Sequence, residues 1–326
     1  MKSGPCEATG YGPFRIRRMP ISVTSFFTEP DDLAAALAHE GSRHLVVTGQ
    51  GRFRARLTRV SLESLRLLAG DESLARIAFV AVPDHMVLVA VSRGTHPVLT
   101  CGGIAMQAGE IMTLGPGTCA HIRTDGPSRW SAILAPVRDL ARYGRDFTDN
   151  TFALPMCIRR WKPPHTAGRH LRHLHASAIR AIESRQGELI GREAAHGLDQ
   201  QILEDLIECL SNGAVATKTP FMRRHQDIMA RFETLLENES DAPPLLAGIA
   251  AALGVSPRVL RCCCQMHLGI TPAAYLRLRR TQRTHHTPSA RRASRRRCSD
   301  TRPRSGKVCV TRKPSPDTPC GADPCQ

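Results

Sequence analysis

Between Ser256 and Leu268 the chain places Arg258, Arg261 and Gln265, side chains able to read the edge of a base pair. Arginine can bond guanine through two parallel donors and glutamine can pair with adenine, each good match discriminating by roughly 1 to 3 kcal/mol. On a helix these positions, with Cys262, fall mostly on the side opposite Leu260 and Cys264, which stand four apart and mark a buried stripe. An α-helix fits the major groove of B-DNA, so such a face suits direct readout. Arg277, Arg279 and Arg280 lie downstream, where they suit phosphates, and Ser256 completes the set of expected DNA-facing residues. Arg258 and Arg261 alone, on an isolated basic helix, would read better as a solvated face. The order of elements around them decides between the two readings.

Leu245 to Leu253 (LLAGIAAAL) is a helix-compatible run, and Gly254-Val255 supplies a turn in which glycine can take a positive φ. Ser256 is then a good N-cap and Pro257 a good first helical residue, because the cap oxygen satisfies a free amide and proline lacks one. Leu268-Gly269 closes this helix, and Thr271-Pro272 repeats the cap-and-proline signature to start a third, Ala273 to Arg280. Helix, tight turn and capped helix make a helix-turn-helix. Its expected core is Ile249, Ala250, Leu253, Leu260, Cys264, Tyr275 and Leu276, with Gly254 and Gly269 at the turns.

The elements upstream are of two kinds. Residues 45 to 135 read as short β-rich pieces, among them Arg76 to Val91, Ile104 to Leu114 and Trp130 to Leu134, spaced as in a sandwich or barrel. After Pro163-Pro164 the pattern turns helical. Leu171, Leu174, Ala178, Ile179 and Ile182 form one stripe, and Leu198, Ile202, Asp205, Leu206 and Leu210 a second, made imperfect by Asp205. Gly187 and Gly197 punctuate these segments, and Asn212-Gly213 is expected to stop the last, before a polar linker to Thr219. A further apolar face, Phe221, Ile228, Phe232, Leu235 and Leu236, begins near Pro220.

The 249–280 string, IAAALGVSPRVLRCCCQMHLGITPAAYLRLRR, resembles the first helix-turn-helix of the AraC family of bacterial regulators. The small residues before Gly254, Ser256-Pro257-Arg258, Leu260, Leu268-Gly269, Thr271-Pro272 and Tyr275-Leu276 all stand in that family's order. The resemblance implies base contacts from Arg258, Arg261 and Cys262. The family often has Arg where Cys262 stands and an aromatic where Cys264 stands, which puts one contact in question and shrinks the core plug. Gly51 to Gly70, Gly102 to Thr118 and Gly126 to Trp130 extend the resemblance upstream, to roughly residues 25 to 281. It implies a cupin-like β-barrel that takes a small effector, helices that form a homodimer, double-stranded DNA as partner, and RNA polymerase as a further candidate partner.

The expected fold is therefore α+β, with a flexible N-terminus (1–21), a cupin-like barrel or sandwich (22–164), a helical dimerisation region (165–213), an all-α helix-turn-helix domain (214–281) and a disordered basic tail (282–326). A chain of 326 residues exceeds what one core usually supports. Its net charge of +16 favours a polyanionic partner. Residues 282–326 carry 11 Lys or Arg against 3 Asp and no Leu, Ile, Met, Phe, Tyr or Trp, so they cannot bury a core. A second helix-turn-helix, which the resemblance would place there, is missing. A frameshift near codon 281 or an authentic basic arm would each account for this composition, the former leaving a dimerising product defective in regulation.

No apolar run reaches the length of a membrane span and no signal peptide opens the chain, so the expected setting is the cytoplasm without a membrane partner. Twelve scattered cysteines suit a reducing compartment. Cys262, Cys263 and Cys264 are consecutive on a helix and cannot converge on one ion. His121, after a Gly-Pro-Gly-Thr turn, stands where catalytic cupins often keep a metal ligand, with His85 and His96 elsewhere in the β-rich half. Without a paired His-x-His these read as structural or surface residues, and His165, His170, His173 and His175 as a solvated face. A cupin-type metalloenzyme is the lesser alternative; no catalytic residue, metal or cofactor is expected.

Overall fold

The computed structural model describes residues 22–92, 99–148, 152–184, 191–216, 220–238 and 246–282. The 1–21 and 282–326 expectations (the latter but for Gln282), Gly187, His96 and Leu245 fall outside them. The fold is α+β: two antiparallel sheets face each other, with helices on the outer face of each. The larger sheet runs β1 (Val23–Phe27), β3 (Ala55–Ser61), β4 (Arg66–Glu72), β11 (Ser128–Pro136), β6 (Met86–Val91), β9 (Ile111–Leu114), β12 (Arg159–Lys162), β13 (Ala214–Ala216). The smaller runs β2 (Ser42–Val47), β5 (Arg76–Ala81), β10 (Cys119–Thr124), β7 (Thr100–Cys101), β8 (Ile104–Ala105).

Strand β6 shows why its sequence, MVLVAV, lacks the polar alternation of a half-exposed strand. Successive side chains of a strand point to opposite faces. Met86, Leu88 and Ala90 enter the core between the sheets, while Val87, Val89 and Val91 enter a second core under helices. Both faces are dry, so both carry apolar residues.

A short helix, α1 (Pro30–Ala36), lies between β1 and β2, and the helices of that second core are α2 (Val137–Phe147), α3 (His165–Ser184) and α4 (Arg192–Asn212). Leu171, Ala178, Ile179 and Ile182 of α3 are buried, and so are Ile202, Leu206 and Leu210 of α4, as their spacing predicts. Asp205 breaks the α4 stripe because His170 Nδ1 of α3 lies 3.0 Å from its Oδ1, so the carboxylate is paired rather than merely tolerated. Gly197 does not punctuate: it lies inside α4, and a single internal glycine costs only about 1 kcal/mol, less than the flanking apolar packing recovers. The helix stops at Gly213, as expected, but the segment after it is not simply a linker, since Ala214–Ala216 pair with Arg160–Lys162 as an edge strand.

Helix α5 (Pro220–Asn238) buries Ile228, Phe232 and Leu236, whereas Phe221 in its first turn is 54% exposed and leaves the expected apolar face. With α6 (Leu246–Ala252), α7 (Pro257–Leu268) and α8 (residues 272–282) it builds a third core containing Ile249, Ala250, Leu253, Leu260, Cys264, Leu268, Tyr275 and Leu276. Val46 of β2 and Ile77 of β5 belong to the same core, so through residue 280 these helices rest on the outer face of the smaller sheet.

Candidate functional site

The turn chemistry read from the sequence is present. Gly254 takes φ +66° after α6. Ser256 Oγ accepts from the Val259 amide at 3.3 Å, Pro257 opens α7, and Gly269 ends it at φ +71°. Thr271 Oγ1 accepts from the Ala274 amide at 3.2 Å and caps α8. The axes of α6 and α7 differ by 93°, within the range of a helix-turn-helix.

Around α7 the two faces separate cleanly. Leu260 and Cys264 are fully buried, and so is Cys263, whose thiol burial pushes up to about 11. Ser256, Arg258, Arg261, Cys262 and Gln265 are exposed, and Gln265 Nε2 also donates to the Gly269 carbonyl at 3.3 Å. Arg277 and Arg280 are exposed on α8. Arg279 is not: it is 7% exposed and its guanidinium bonds the Glu233 carboxylate, so the phosphate role expected of it is not available in this arrangement.

Glu233, on α5, is the group the sequence reading missed. It is wholly buried and takes hydrogen bonds from three side chains on two other elements. His121 Nε2 of β10 lies 2.8 Å from its Oε1, the Tyr275 hydroxyl of α8 donates to the same oxygen at 2.6 Å, and Arg279 bonds its Oε2. Because Tyr275 spends its proton on Glu233, its oxygen accepts from His44 Nε2 of β2, 2.9 Å away. Burial alone would raise the Glu233 pKa, but the His121 hydrogen bond and the charges of His121, His44 and Arg279 outweigh it and bring it down to about 2. Burial and then the Glu233 charge hold the Tyr275 phenol well above its ordinary value.

The His121 reading as structural agrees with this: it is 1% exposed and its partner is a carboxylate on a helix. His85 is exposed, and so are His165, His170 and His173, but His175 leaves the expected solvated face: it is 2% exposed, with Nε2 3.3 Å from the Ala132 carbonyl. Among the described residues no group of three or more His, Cys, Asp or Glu is placed to hold a metal.

A cavity of about 70 Å³ lies between the sheets, lined by Leu45, Ala78, Val80, Ile122, Trp130 and Ser131 among others. Strands β5 and β10 serve both it and the helices. Ala78, Val80 and Ile122 point into the cavity, while Ile77, Phe79 and His121 face α5 and α8 on the other side, with the Phe79 and His121 rings 5.0 Å apart and the His121 and Tyr275 rings 6.1 Å apart. One layer of sheet therefore separates the cavity from the docked helix-turn-helix.

No protein-family model and no curated protein matches the chain. Among solved structures, it is similar to the AraC-like transcriptional activator CuxR at 14% identity, over 81% of this chain and 95% of that one, with a TM-score of 0.43. It is similar to ToxT from Vibrio cholerae at 10% identity, over 66% of this chain and 99% of that one, with a TM-score of 0.26. Vicilin from hazelnut, Corylus avellana, follows at 15% identity over 54% of this chain and 52% of that one, with a TM-score of 0.16.

Proposed function

We propose that the chain is a sequence-specific DNA-binding transcription regulator of the AraC type, without enzymatic activity, that answers to a small effector held between its two sheets. The observation that carries this reading is the geometry of α6 and α7: two helices bent by 93° across a glycine turn, the second capped by Ser256 and presenting Arg258, Arg261, Cys262 and Gln265 to solvent. Arg277 and Arg280 extend the exposed basic surface toward phosphates. The single sheet layer shared by cavity and helices supports a route by which an effector would bias the DNA-binding unit. RNA polymerase is the onward partner in this reading. Cys119, Cys157, Cys209, Cys262, Cys263 and Cys264 form no disulfide, which favours a reducing compartment such as the cytoplasm, and no helix among the described residues is long and apolar enough to cross a membrane.

Selection of bound duplexes from a random pool tests the readout. The wild-type chain should enrich one motif, and Arg261→Ala should lose preference at one position of it. Weakening without a change of motif would make Arg261 a phosphate contact; no enrichment by the wild type would overturn the assignment. The proposed homodimer, through the α3–α4 region, is tested by sedimentation of the full chain: a dimer is expected, and a monomer at high concentration contradicts it.

A further inference from the structure

Helices α5 and α7 meet over a pair of buried histidines. His225 of α5 is 3% exposed and His267 of α7 is 1% exposed, with their ring centroids 6.4 Å apart. Phe221, itself exposed, covers His225 from the first turn of α5, with the two ring centroids 3.9 Å apart. The turn between β7 and β8 reaches both helices. Gln226 Nε2 of α5 donates to the Gly102 carbonyl at 3.5 Å, and a Cβ on Gly103 would lie 3.0 Å from Met266 Cγ and 3.4 Å from the His267 ring. His225 Nδ1 is buried and has no hydrogen-bond partner among the described residues. A neutral imidazole forgoes one bond in that position, whereas an imidazolium carries donors on both nitrogens and would bury an unpaired charge.

We propose that this seam is a pH-sensitive catch, closed while His225 is neutral and opened when it takes up a proton, which loosens α7 from α5 and from the β7–β8 turn. The groups around His225 leave a proton there uncompensated. Arg224, its neighbour in the chain, is cationic. His267 faces it from α7, with the buried Cys263 thiol one turn earlier and also within reach of the Arg224 charge, and the β7–β8 turn brings glycine backbone. Burial first, and then the Arg224 charge, hold the His225 pKa below its ordinary value. In the opened form, where the ring meets water, it titrates near about 6.5. The opened form therefore binds more protons, so the catch is fully closed above about pH 6.5 and weakens as pH falls below it. Since α7 carries Arg258 and Arg261, the catch adds sensitivity to acid to the proposed regulator.

Hydrogen–deuterium exchange of the full chain reads the seam directly, resolved by peptide mass analysis at about pH 7.5 and about pH 5.5 and corrected for the intrinsic pH dependence of exchange. Amides of α7 should exchange faster at the lower pH, by up to about tenfold, the ratio of charged to neutral histidine in the opened form there. Amides of β6 should keep their rates. His225→Gln and, separately, His225→Phe, each checked for native circular dichroism at the higher pH, should show one α7 rate at both. No acceleration in the wild type would overturn the inference, as would the same acceleration in both variants or an equal acceleration in β6. Because no DNA is present, failure here is separate from failure of the regulator assignment.

Discussion

Glu233 Oε1 on α5 lies 2.8 Å from His121 Nε2 on β10, and this contact, between residues 112 apart in the chain, ties the helices of the third core to the sheet that walls the cavity. Tyr275, Arg279 and His44 complete the arrangement, so one carboxylate holds α5, α8, β2 and β10 together. Removing it leaves a buried guanidinium without its partner. Glu233→Ala should therefore destabilise the chain by about 3 to 5 kcal/mol, measured as a shift of the urea midpoint at unchanged slope. A loss below about 1 kcal/mol would show that the cluster does not bind the two layers.

The same carboxylate sets a pH dependence. Its pKa is about 2 in the folded chain, held there against burial by His121, His44 and Arg279, with Tyr275 and Cys264 the other titratable groups around it. In the unfolded chain it would titrate at about 4.3. A depressed folded value means the contribution is complete above about pH 4.3 and drains as pH falls from there toward 2. The urea midpoint of the wild type should drop across that window more steeply than that of Glu233→Gln. Parallel curves would remove Glu233 from the account.

Gly269 combines a left-handed backbone with close packing. At φ +71° any other residue is strained, and a Cβ there would overlap the Arg123 guanidinium of β10. Gly269→Ala should lower stability by about 1 kcal/mol or more, read from the thermal midpoint. An unchanged midpoint would show that the end of α7 and β10 adapt freely.

The cysteine triplet divides by burial. Cys262 is exposed, whereas burial pushes the Cys263 thiol up to about 11 and raises Cys264 further. Iodoacetamide followed by peptide mass analysis should label Cys262 at least about tenfold faster than its two neighbours, since the thiolate is the nucleophile. A specific duplex should then protect Cys262. Labelling unchanged by the duplex would place that face of α7 away from DNA.

What could be read from the sequence divides by the range of the interaction. Ser256, Pro257, Gly269 and Thr271 act on amides and turns within a few residues, and each is found in its expected role. The β6 and α3 patterns carried their burial because strand and helix periods are local. Arg279 could not be placed that way. Its neighbours Arg277 and Arg280 are exposed, and its own burial depends on Glu233, 46 residues earlier, and on the sheet beneath both. The signal that was present was a carboxylate beside Phe232 on the buried side of α5, but a lone charge next to an apolar stripe does not name its partners. His121 was read as structural for want of metal companions, while its contact with a helix 112 residues away had no counterpart in the sequence.

The most direct test of the regulator assignment is a gel-shift titration of the full chain against its own upstream DNA and a scrambled duplex of equal length, at about 150 mM salt, where sequence-independent attraction is already weakened. The account predicts tighter binding to the upstream duplex, a preference reduced by Arg261→Ala. Equal binding to both duplexes, falling in parallel as salt rises, would contradict it and leave only charge attraction to the phosphate backbone.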